Sequence, residues 1–110
     1  MRIGIPLVLI LVSAFILSGC QQQTVPGYQD IPLHPQASQI HSVEDRVEFL
    51  ASSASAEEVT DYYLNELEKR QWIRVDRWGS AFVYEKNGRR ILLVITDLKN
   101  YTKVSLSPFK

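Results

Sequence analysis

Few side chains in this sequence are suited to bond-making chemistry, and their spacing narrows the choice further. Cys20 is the single thiol among 110 residues. One cysteine excludes both a disulfide framework and a multi-thiolate metal site. His34 and His41 are the only imidazoles. They lie near Glu44 and Asp45 but lack the i,i+4 spacing on a fixed element that holds a metal ion, so they read as exposed linker histidines and no metal or cofactor is expected. No Ser stands in a nucleophile elbow, and no Gly-rich loop precedes a helix to cradle phosphate. The carboxylate pair Glu57-Glu58 is accounted for by helix capping, Glu44-Asp45 has no evident pocket partner, and Asp97 reads as a turn residue. No catalytic residue is expected, so the sequence does not read as that of an enzyme.

Two other groups suit binding. Lys86, Arg89 and Arg90 gather at one expected hairpin tip, where they either meet an anionic partner or solubilise the ends of an apolar strand. Among the aromatic residues, Trp78 is expected on an open sheet face, the surface suited to a protein, peptide or glycan contact. These four residues are the candidate partner contacts. Twelve Lys/Arg balance twelve Asp/Glu, so no basic excess exists to drive general nucleic-acid binding.

The strongest signal lies at the N-terminus. After Met1-Arg2, residues 3–17 are uncharged and mostly apolar, too short a run for a hydrocarbon core that needs about 20 helical residues. A charged start, a short apolar run and small residues after it describe a secretory signal peptide. Leu17-Ser18-Gly19-Cys20 then resembles the lipobox of bacterial lipoproteins. That resemblance implies cleavage between Gly19 and Cys20, diacylglyceryl transfer to the Cys20 thiol and acylation of its new amine. Two or more acyl chains anchor stably where one binds only marginally. It also implies passage through lipoprotein-processing and sorting machinery. Gln21, standing where an Asp favours inner-membrane retention, favours the outer membrane, facing the periplasm, if the cell is Gram-negative.

Three segments should position these residues: a signal peptide over 1–19, the lipidated cysteine and a flexible tether over 20–39, and a small domain over 40–110. The tether assignment rests on a stretch rich in Pro and Gln without hydrophobic period. It would span about 65 Å fully extended and about 25 Å as a coil. Within it, Ile31 to Pro35 interleave apolar side chains and suit an extended segment lying on the domain.

In the domain, Arg46 to Ala51 alternates as a strand with Val47, Phe49 and Ala51 on one face. Ser55 and Glu58 form a capping box opening a helix over 56–70, with Ala56, Val59, Tyr63, Leu64 and Leu67 on its apolar side. Strands follow around 72–78, 81–86, 91–96 and 103–107. Asn87-Gly88 marks a type I′ hairpin turn, and the apolar run Ile91 to Ile95 marks a central strand. The resulting fold class is α+β, one amphipathic helix on a small, mainly antiparallel sheet in β-α-β-β-β-β order. Pro35, the Ser55-to-Val59 run, Tyr62-Tyr63, Trp72 and the Glu85-to-Arg89 hairpin resemble small uncharacterised α+β domains of bacterial lipoproteins and secreted proteins. That resemblance implies no catalytic residue. The expected function is a lipid-anchored, non-catalytic envelope protein that binds or supports another envelope component. The alternative is an accessory module that binds a small ligand, peptide or glycan on the open sheet face.

Overall fold

The computed structural model describes residues 23–110. In chain order these form β1 (Thr24–Val25), β2 (Tyr28–Pro32), β3 (Ala37–Val43), β4 (Arg46–Ser52), α1 (Ala56–Lys69), β5 (Ile73–Trp78), β6 (Ala81–Lys86), β7 (Arg89–Asp97) and β8 (Tyr101–Pro108). Six strands make one antiparallel sheet in the order β3-β4-β8-β7-β6-β5, and β1 pairs with β2 in a separate hairpin. A helix packed on an antiparallel sheet is present as expected. With eight strands to one helix among the described residues, the domain is nearer all-β than a balanced α+β fold, and the expected element order lacked three strands ahead of β4.

Local chemistry explains the helix. The Ser55 hydroxyl accepts the Glu58 amide at 3.1 Å, and the Glu58 carboxylate accepts the Ser55 amide at 3.0 Å. Two otherwise unpaired donors are thereby satisfied, and the bond from the Ser55 amide, seconded by the Ser55 hydroxyl, holds the Glu58 carboxyl below its usual range. Val59, Tyr63 and Leu67 are buried on one side, the i, i+4, i+8 stripe of a core-facing helix. Ala56 and Leu64 pack at its margins. Replacing Val59, which is fully buried, by Asp places an unpaired carboxylate in that core. Val59→Asp should destabilise the domain by more than about 3 kcal/mol, read as a collapse of the urea midpoint; an unchanged midpoint would place Val59 on the surface.

The sheet presents alternate residues to the helix. Val47, Phe49 and Ala51 of β4, Ile91, Leu93 and Ile95 of β7, and Val104 and Leu106 of β8 are all buried. Asn87 and Gly88 have φ of 52° and 79°, as a type I′ turn requires. Leu92 and Val94 are half-buried on the opposite side of β7, so this interior strand is covered on one face and only partly on the other.

The largest correction concerns residues 20–39. Described from residue 23 onward, this stretch is not a tether. Val25, Tyr28, Ile31, Leu33 and His34 are buried, and Ile40, the expected start of the domain, lies inside β3. A tight turn at Pro26-Gly27, with Gly27 at φ 82°, folds β1 back on β2. Tyr63 fastens this hairpin to the helix: its hydroxyl donates to the Pro32 carbonyl and accepts the His34 amide, both at 3.0 Å. Burial raises the Tyr63 phenol well above its ordinary pKa, so it remains a donor throughout the physiological range. The hydrophobic period was hidden by its spacing of two and three residues among Gln and Pro.

Candidate functional site

The strands run between two edges. The upper edge carries the β5–β6 turn at 79–80 and the β7–β8 turn at 98–100; the lower edge carries the β3–β4 turn at 44–45 and the β6–β7 turn at 87–88. A cavity of about 640 Å³ opens at the lower edge. The turn of the β1–β2 hairpin forms one wall of it, through Pro26 and Gly27. Tyr28, Val47 and Ile91 give it an apolar floor, and Glu44, Asp45, Arg89 and Arg90 supply charges of both signs. Tyr28 donates its hydroxyl to the Asp45 carbonyl at 3.0 Å, pinning the hairpin to the β3–β4 turn. Its phenol is raised first by burial and then by the Asp45 charge.

The sequence kept apart two groups that the fold brings together. Glu44-Asp45 had no evident partner, yet it shares this cavity with Arg89 and Arg90. Asp30 joins them indirectly, accepting Lys86 Nζ at 3.2 Å across 56 residues of sequence. The expected cluster of three cations is thus dispersed into specific contacts. Lys86 pairs with Asp30, Arg90 pairs with Glu85 at 2.7 Å, and Lys86 and Arg89 sit 5.9 and 6.0 Å above the buried Trp72 ring. Arg89 and Arg90 remain exposed at the cavity while Lys86 is partly buried. The Pro26-Gly27 turn was the signal that could have placed Tyr28 and Asp30 here.

Trp78 does not belong to this cavity. It ends β5 beside the upper-edge turn, at the opposite end of the β5–β6 hairpin from Lys86. The indole is 52% exposed, and its ring lies 5.9 Å from that of Phe109. Val83, which points away from Phe82 and Tyr84, is 1% exposed and stands outside the main core cluster. Trp78 faces the same side as Val83 by register, so it is half binding surface and half cover for a small apolar patch on the open face.

His34 departs from its expected exposure. It is buried, with its ring 4.7 Å from that of Tyr62, and its Nδ1 accepts the Gln36 amide at 3.1 Å. Burial lowers its pKa, opposed by the Glu58 charge, which fits a neutral ring serving as acceptor. His41 is exposed on β3. Among the described residues no group of three His, Cys, Asp or Glu side chains is arranged to hold a metal ion, and no helix is long and apolar enough to cross a membrane. Gly19 and Cys20 lie outside the described residues. Comparison with protein-family models, curated proteins and solved structures finds no match to this chain.

Proposed function

We propose that the protein is a lipid-anchored, non-catalytic component of the bacterial cell envelope that binds or supports another envelope component through the lower-edge cavity. The observation that supports this reading is the cavity itself: an apolar floor bordered by two carboxylates and two guanidinium groups. A surface of that kind suits a polypeptide segment, which offers both apolar side chains and charges of either sign. The lipobox resemblance at Leu17 to Cys20 supplies the anchor, and in a Gram-negative cell Gln21 favours the periplasmic face of an outer membrane. The second reading, a ligand, peptide or glycan module on the open sheet face, is favoured by the half-exposed indole of Trp78.

The two readings separate in one experiment. Full-length wild type, Arg89→Glu with Arg90→Glu, and Trp78→Ala are recovered from detergent-solubilised membranes, and the bound partner is quantified. The Arg90–Glu85 pair is half-exposed, and such pairs contribute at most about 1 kcal/mol, so charge reversal should leave the domain folded. It should lower partner recovery at least about tenfold at low salt, with the deficit shrinking as salt screens the contact. Trp78→Ala should recover the partner normally. The opposite pattern moves the contact to the open face, and equal recovery by all three proteins eliminates both surfaces.

A further inference from the structure

The folded domain starts where a tether was expected, and this fixes how far it can stand from an anchored Cys20. Gln23 is already part of the fold, its carbonyl accepting the Leu33 amide at 2.8 Å. Only Gln21 and Gln22 stand between Cys20 and Gln23, three peptide steps with a reach of at most about 11 Å even fully extended. A headgroup layer is itself about 5–8 Å deep on each side of the bilayer, so little of that reach extends beyond it.

The point of attachment also selects which part of the domain meets the lipid. Gln23 lies beside Leu33, Pro35 and Ala37. Ala37 is paired with Ala51, and Ala51 with Thr102. Two strand spacings, about 10 Å, therefore separate Ala37, beside Gln23, from Thr102 at the foot of the β7–β8 turn. That turn projects Leu98 and Tyr101, 37% and 45% exposed, with the exposed Lys99 between them. No ion pair involves Lys99 among the described residues. An aliphatic side chain, a cation and a tyrosine suit three layers of an interface: acyl boundary, anionic headgroup and carbonyl zone.

We propose that the β7–β8 turn, Leu98 to Tyr101, seats in the headgroup layer of the membrane, holding the domain against the lipid surface with its lower-edge cavity turned outward. This rests on the lipid-anchor reading above. The occupant is a lipid surface, because a chain reach this short brings lipid to the turn before any soluble partner.

The test uses the acylated full-length protein in phosphatidylethanolamine–phosphatidylglycerol vesicles with brominated acyl chains, which quench nearby indoles. Trp78→Phe leaves only the buried Trp72 as background. In that parent, Tyr101→Trp reports the upper edge, Leu98→Trp is a second reporter, and Lys110→Trp reports the lower edge. Emission from the upper-edge reporters should fall at least about twofold relative to unbrominated vesicles, as expected of side chains at the acyl boundary. The Lys110→Trp protein should match its parent. Equal quenching at both edges, or none at 98 and 101 in a protein whose mass confirms acyl chains on Cys20, overturns the docking while leaving the anchor intact. Absence of acyl chains from Cys20 in that sample overturns both.

Discussion

A chain truncated to residues 36–110 should fail to fold, while residues 23–110 should unfold in a single cooperative transition. The removed piece carries Val25, Tyr28, Ile31 and Leu33, all buried against the sheet and helix. Each such side chain contributes about 1.5–3 kcal/mol on burial. Their sum is comparable with the roughly 5–15 kcal/mol total stability of a domain. The loss is not confined to the segment. Tyr63 would forfeit both partners of its hydroxyl, the Pro32 carbonyl and the His34 amide, leaving a buried donor unsatisfied. Tyr28 would no longer close the floor of the cavity. The expected outcome for residues 36–110 is a compact state with far-ultraviolet circular dichroism, weak near-ultraviolet signal and strong dye binding. A cooperative melt at the midpoint of residues 23–110 would show the hairpin to be dispensable.

That segment shows what the sequence could and could not reveal. The helix was legible because its instructions are local: Ser55 and Glu58 are three residues apart, and the stripe Val59, Tyr63, Leu67 repeats every four. The Asn87-Gly88 turn was legible because a two-residue loop leaves few alternatives to positive φ. The β1–β2 hairpin has no such repetition. Val25, Tyr28, Ile31 and Leu33 are spaced unevenly, and Tyr63, which fastens them, lies about 30 residues away in the chain. Composition favoured a tether, and a tertiary contact overrode it. The same holds for the cavity: Glu44-Asp45 and Arg89-Arg90 are each unremarkable alone, and only the sheet register places them at one edge. Trp78 was legible as an exposed aromatic, but its second role as cover over Val83 needed the strand register and the Phe109 ring that packs beside it.

Loss of the single thiol should have the most complete effect of all. Cys20→Ser keeps a small polar side chain at the junction but removes the sulfur that would accept the diacylglyceryl group. Processing of such proteins acts on the lipid-modified form, so the variant should lose all acyl label and accumulate as a precursor longer by the residues before Cys20. Gly19→Ala supplies the control, because a small side chain at the cleavage site preserves the lipobox pattern; it should mature and take up acyl label normally. The pair of variants separates lipid chemistry from mere disturbance of the signal. Should Cys20→Ser mature at the wild-type rate and carry acyl chains, the anchor lies elsewhere. The short reach to Gln23 would then no longer constrain the domain, and the β7–β8 turn would lose its reason to face the lipid.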